Sequence, residues 1–193
     1  MGSSRDKYRL YLAMYDNSRA VGAGYPTQIH WALLVGPKHE DPDSLQKTHV
    51  RYHATNYTRS GRWEFERRPV ECVRSPSMLG RILLGKVDRA DLANLERMLA
   101  DPRRIKAGQP HWNCWKWVEE ALSDLVQKGV LYVRARGGLD VRHLLTYGQR
   151  FSAEIVAREL NAGYGLPITI AYTGPERYVR AVLRLCILAE ERP

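Results

Sequence analysis

The chain has 193 residues, 44% of them hydrophobic and 26% charged, with 30 Lys and Arg against 21 Asp and Glu for a formal net charge of +9. That length and apolar share suit one domain with a core of its own and exclude a disordered chain. No apolar run approaches the roughly 20 residues of a membrane helix, and Met1–Arg9 does not read as a secretory signal. The expectation is a soluble, cytoplasmic protein without a transmembrane segment. Three cysteines, Cys72, Cys114 and Cys186, are too few and too far apart for a disulfide framework or a zinc site. No metal or other cofactor is expected.

In chain order, apolar side chains alternate over Tyr8–Tyr15, which reads as a strand. Asp16–Pro26 is turn-rich. Gln28–Val35 reads as a second strand, ended by Gly36-Pro37, and polar Lys38–Lys47 reads as a surface loop. Val50–Tyr57 is a third strand. Thr58–Gly61 is a turn, Arg62–Glu66 a short strand, and Arg81–Val87 a further one. A helix capped by Asp88 or Asp91 runs to about Ala100, with Leu92, Leu95 and Leu99 at helical spacing, and Asp101-Pro102 stops it. The strongest helix signal covers Asn113–Lys128, where Trp117, Val118, Ala121, Leu122 and Leu125 form one stripe and Gly129 closes it. Asp140–Leu160 is again helical, Ile168–Tyr172 is a strand, and Tyr178–Leu188 fits either helix or strand. Strands followed by helices predict an α+β class, with a central antiparallel sheet packed against the Asn113 helix. Residues 1–193 then form a single domain, with 1–128 as the core and 129–193 as a C-terminal extension.

Cys114 opens the strongest helix, directly after Asn113, a good N-cap residue. Unpaired N–H groups and the helix dipole at that end favour a thiolate. The same N–H groups suit an oxyanion. His30 and His53 lie inside neighbouring predicted strands, where two imidazoles can share a sheet face. A helix packed on that face brings Cys114 toward His30 as base, with His53 orienting it. His111 is the reserve base; His39 and His49 read as surface, and His143 as helix surface. Trp31, Trp112, Trp115 and Trp117 crowd the same region, and Trp31, Asn113 and Trp115 are the candidate binding residues.

The run His30-Trp31-Ala32-Leu33-Leu34-Val35-Gly36, then Tyr52-His53, then Asn113-Cys114 opening a helix, resembles the permuted papain-like thiol enzymes of the NlpC-type superfamily. Within them it resembles the lecithin–retinol acyltransferase-like group, and the layout of the PPPDE group of isopeptidases is related. His30–Lys38, Arg51–Ala54, Trp63–Glu66 and Gly108–Cys114 are also similar to segments of a fungal family of uncharacterised domains. The resemblance implies a papain-like fold, Cys114 as nucleophile, His30 as base and His53 as the orienting third residue. It departs after Asn-Cys, where the acyltransferases carry Glu-His and this chain has Trp115-Lys116.

The leading expectation is a thiol hydrolase or acyltransferase, acting through a thioester on Cys114 with a small-molecule or peptide acyl donor. One variant forms amides in fungal secondary metabolism from an anionic donor, such as aminoacyl-tRNA or a carrier-bound thioester. The second reading is an inactive binding protein on the same fold, and the third a nucleic-acid binder using Arg-rich segments such as Arg134–Arg142. Positive charge gathers in two places: residues 50–110 hold 13 basic and 7 acidic side chains, and residues 128–150 hold 5 and 1. Such a surface attracts RNA, phospholipid or an acidic carrier protein.

Overall fold

Alternating apolar residues build the sheet that the pattern predicts, in a computed structural model that describes residues 7–17, 29–41, 45–57, 61–71, 77–133, 135, 137–158 and 167–174. The expected turns at Asp16–Pro26 and Thr58–Gly61 fall almost wholly outside the described residues. So do the Tyr178–Leu188 element, Cys72 and Cys186. Seven strands are described: β1 (Lys7–Asp16), β2 (Ile29–Gly36), β3 (His49–Thr55), β4 (Glu64–Val70), β5 (Met78–Asp88), β6 (Tyr132–Val133) and β7 (Ile168–Ala171). Three α-helices accompany them: α1 (Leu92–Leu99), α2 (Cys114–Gln127) and α3 (Val141–Ala157). The class is α+β.

The sheet runs in the order β4-β3-β2-β1-β5-β6, and β7 also pairs with β5. All pairings are antiparallel except β5 with β7, which is parallel. The expected central antiparallel sheet is present, and β7 is its one parallel addition among the described strands. Parallel strands need a long crossover connection, and the chain between β5 and β7, which includes α1, α2 and α3, supplies one.

Side chains leave opposite faces of a strand in turn. Leu10, Leu12 and Met14 of β1, Trp31, Leu33 and Val35 of β2, and Tyr52 and Ala54 of β3 share one core with Trp117, Val118, Ala121, Leu122 and Leu125 of α2. Leu144, Leu145, Phe151 and Ile155 of α3 complete that side. The described residues after 128 therefore share a core with those before it. The alternate positions, Tyr11, Ala13, Tyr15, Ala32 and Leu34, pack with Met78 and Leu83 on the other face. The middle of the sheet is thus buried on both sides.

One irregularity positions the site. β2 and β3 pair only at Leu33–Tyr52, Leu34–Arg51 and Val35–Val50. Beyond Leu33, residues Ile29–Ala32 pair with β1 alone, so the sheet opens between the start of β2 and the end of β3. No described helix is long and apolar enough to cross a membrane.

Candidate active site where β2 parts from β3

α2 begins at this opening. Asn113 takes an extended conformation, and its side-chain oxygen accepts the N–H of Trp115 at 3.0 Å and of Lys116 at 3.1 Å. That is the N-cap its type predicts. Cys114 follows, almost fully buried. The backbone N–H groups of Trp31, Trp115 and Cys114 itself lie near its sulfur and favour the thiolate.

The expected activation of the thiol is corrected in the resting structure. Burial pushes the Cys114 thiol up to about 11, against the three N–H groups that favour the thiolate. Removing the sulfur from water outweighs the helix terminus.

His30 and His53 do share a face, and they touch: His30 Nε2 lies 2.5 Å from His53 Nδ1, with the rings edge-on at 78°. That face is the one away from the helices. His30 stands opposite Tyr15 of β1, and Ala32, two residues on, packs in the second core. The expectation of α2 lying on the histidine face is corrected by this parity, since Trp31 and not His30 faces the helices. Cys114 reaches β2 from the helix side, at the Trp31 N–H, one residue beyond His30. No hydrogen bond joins thiol and ring; His30 Nδ1 is buried and has no hydrogen-bond partner.

The chain of contacts continues outward. His53 Nε2 is 2.6 Å from Glu66 Oε2, and Arg51 donates to the same oxygen at 3.1 Å. The guanidinium of Arg51 lies 5.2 Å from the centre of the Tyr15 ring. Burial pulls His30 down to about 3, helped by the charges of His53 and Arg51. Burial also lowers His53, although Glu66 opposes it. The His53 hydrogen bond holds Glu66 at about 2. At neutral pH the two rings are neutral and Glu66 is ionised.

Glu66 is the residue that sequence reasoning missed. The signal was present: Trp63 and Phe65 alternate toward the helix-side core, so Glu66 must point to the histidine face. The β3–β4 register then sets it directly opposite His53. Tyr57 was missed too. Its hydroxyl donates to the buried Asn17 Oδ1, and burial, with a smaller part from the Cys114 charge, raises its pKa. That interaction puts Tyr57 in the neighbourhood of the thiol.

The other candidates separate. Trp31 is fully buried and stacks on Trp115 at 6.4 Å between ring centroids. Trp112 packs edge-on against Trp63, and Trp117 lies beside Phe65 in the core. His111, the reserve base, is exposed, with a φ of 64°. His39 is exposed. His49 corrects the expectation of a surface side chain: it is fully buried, and its Nε2 is 3.0 Å from Glu40 Oε1. Through that contact Glu40, just beyond β2, reaches back to the first residue of β3. His143 is half-buried, with Nδ1 3.5 Å from the Tyr172 hydroxyl. Among the described residues no group of three or more His, Cys, Asp or Glu side chains could hold a metal ion.

Residues 7–143 match DUF6914, a family of unknown function. The chain belongs to this family. The matched DUF6914 segment contains His30, His53, Glu66 and Cys114, and ends at the third residue of α3. No curated protein and no solved structure matches the chain.

Proposed function

We propose that this chain is a cysteine-dependent acyl-transfer enzyme of permuted papain-like type, with Cys114 as nucleophile and His30 as general base. The observation that carries this reading is the buried, unpartnered Nδ1 of His30, on the residue next to Trp31, whose backbone N–H acts on the sulfur of the helix-terminal Cys114. A buried nitrogen without a partner costs folding energy, and a reaction that uses it as a proton acceptor gives it a purpose.

The resting pair is a neutral thiol and a neutral imidazole, so the proton leaves sulfur as substrate arrives. The Sγ–H proton passes to His30 Nδ1 while the sulfur electron pair attacks the acyl carbonyl. The N–H groups at the start of α2 receive the developing oxyanion. The leaving group departs with the proton from His30, and a thioester remains on Cys114. Water or an amine then takes the acyl group, which makes the outcome hydrolysis or transfer. The donor is a small molecule or peptide presenting an amide, ester or thioester. The net charge of +9 suits an anionic donor, including aminoacyl-tRNA or a carrier-bound thioester in secondary metabolism.

A second reading, a binding protein without turnover, has its own support: Cys114 is buried, its pKa is raised, and no hydrogen bond joins it to His30. One experiment separates the two. The full chain carrying Cys72→Ser and Cys186→Ser is incubated with p-nitrophenyl acetate and analysed by intact mass and peptide mapping. An acetyl thioester on Cys114 that is strongly reduced by His30→Ala supports the enzyme. No acylation, where a free cysteine acylates readily, favours the binding protein.

A further inference from the structure

The contacts beyond His30 fix where every proton of the site sits. Ionised Glu66 can only accept, so the proton in the 2.6 Å contact belongs to His53 Nε2. A neutral imidazole carries a single N–H, which leaves His53 Nδ1 bare. The 2.5 Å contact between the rings then requires the proton to be on His30 Nε2. His30 Nδ1 is bare in turn, and it is the buried nitrogen without a partner. One carboxylate on β4 thereby sets the protonation of four nitrogens and leaves His30 Nδ1 as an empty acceptor inside the protein.

We propose that Glu66 is a positioning residue for this site: it fixes both imidazoles as Nε2–H tautomers and draws the positive charge of the working base outward from His30 to His53. The second part rests on the reading of Cys114 as nucleophile. When Sγ–H gives its proton to His30 Nδ1, His30 passes its Nε2 proton along the inter-ring bond to His53 Nδ1. His53 then holds protons on both nitrogens, next to the Glu66 carboxylate, which keeps its charge. His30 returns to neutrality with its proton on Nδ1, ready for the leaving group, and reversal of the relay restores the resting state.

The charged groups around the relay favour that direction. Arg51 from β3 faces both rings, and Arg68 from β4 bears on His53; Tyr15 from β1 flanks His30 at 6.4 Å between ring centroids. A cation on His30 meets Arg51 and has no anion in contact. A cation on His53 meets Glu66 directly. Arg51 in turn holds Glu66 by its hydrogen bond to Oε2. An ion pair serving stability alone has no need of a second imidazole whose outer nitrogen is left unpaired inside the protein.

The test uses the full chain with 15N-labelled histidine near neutral pH, read by long-range 1H–15N correlation, which reports tautomer and charge without any reaction. The expected pattern is Nε2–H with bare Nδ1 for both His30 and His53. In Glu66→Gln the side-chain carbonyl still accepts the His53 proton, so the pattern persists. The carboxylate charge is gone, however, and acetylation of Cys114 by p-nitrophenyl acetate falls about tenfold or more, the equivalent of one pKa unit. In Glu66→Leu the acceptor is lost and the Nε2–H pattern with it. A native His30 protonated at Nδ1 overturns the tautomer assignment. Unchanged acetylation in Glu66→Gln overturns the charge transfer. A native chain that is never acetylated overturns the cysteine reading and the charge transfer together, while the correlation spectrum still decides the role of Glu66 in the tautomers.

Discussion

His30 Nε2 and His53 Nδ1 lie 2.5 Å apart with both rings buried on the face of the sheet away from the helices. Both rings titrate below the ordinary histidine value, His30 at about 3. Unfolded histidines take up protons near pH 6.5. Below that pH the unfolded chain binds more protons than the folded one, so stability falls as pH drops; above it the contribution is complete. Glu66, held at about 2, adds a further loss in the same direction once pH falls below the ordinary carboxylate range. The expected result in urea titrations is a plateau above about pH 7 and a decline below 6.5, up to about 1.4 kcal/mol per pH unit for each buried histidine. The double variant His30→Gln/His53→Gln flattens the decline between pH 6.5 and 5. An equal decline in that variant would place its origin elsewhere.

Asn113 carries the entry of α2, and with it the position of Cys114. Its side-chain oxygen takes the Trp115 and Lys116 N–H groups at 3.0 and 3.1 Å. Asn113→Ala leaves these donors without their cap and costs about 1 kcal/mol, within the usual 0.5–2 kcal/mol for a lost N-cap. Asn113→Asp keeps the acceptor and retains stability in the same urea measurement. A loss in Asp as large as in Ala would show that the cap bond is not what holds this end.

Much of this arrangement is legible in the residues. The alternation of Tyr8–Tyr15 and Gln28–Val35 marks β1 and β2, and the stripe from Trp117 to Leu125 marks α2. Asn113-Cys114 marks its start. Which face His30 takes was also within reach: Trp31, Leu33 and Val35 are the larger apolar set, so they turn to the helices and His30 turns away. What local pattern could not supply is the partner set. Glu66 meets His53 only through the β3–β4 register, and Glu40 meets His49 across nine residues with no regular pattern between them. The parallel pairing of β7 on β5 joins residues some 90 apart in sequence, such as Gly80 and Ile168, and nothing in either segment announces it. The raised thiol pKa of Cys114 likewise follows from burial, which a helix-start motif does not encode.

Gly148 shows how closely α3 approaches the site. A Cβ at this position would stand 2.8 Å from Trp31 Cζ3 and 2.9 Å from Cη2. The Trp31 ring is fully buried and cannot swing aside. Alanine favours a helix by about 1 kcal/mol over glycine, but forcing a methyl group into a filled core costs about 1–3 kcal/mol. Gly148→Ala is therefore expected to destabilise the chain despite its better helix propensity. In a Trp31→Leu background the obstacle is gone, and the same substitution becomes neutral or stabilising. Identical effects in both backgrounds, measured as a double-mutant cycle by urea unfolding, would exclude the clash with Trp31 as the cause.

Glu40, the partner of the buried His49, is anchored by a buried ion pair with Arg81. Glu40 accepts the Tyr11 hydroxyl at 3.0 Å and His49 Nε2 at 3.0 Å, and Arg81 donates to its second oxygen. The Arg81 guanidinium also lies 4.4 Å from the centre of the Tyr11 ring, and its Nε donates to Thr169 Oγ1 at 2.8 Å. The side chains of Arg81 and Glu40 are 4% and 11% exposed. Burial works against the Glu40 carboxylate, but the bonds from His49 and Arg81 outweigh it and hold the group at about 2. Arg81→Met leaves that charge in the interior without its main counterion, and the expected cost is about 3–5 kcal/mol. Adding Glu40→Leu removes the stranded carboxylate, so the double variant is more stable than Arg81→Met alone. The cycle thus predicts strong coupling between a loop residue and the central strand β5. If the two losses simply add, Glu40 gains nothing from Arg81, and the loop is held by its contacts to Tyr11 and His49 alone.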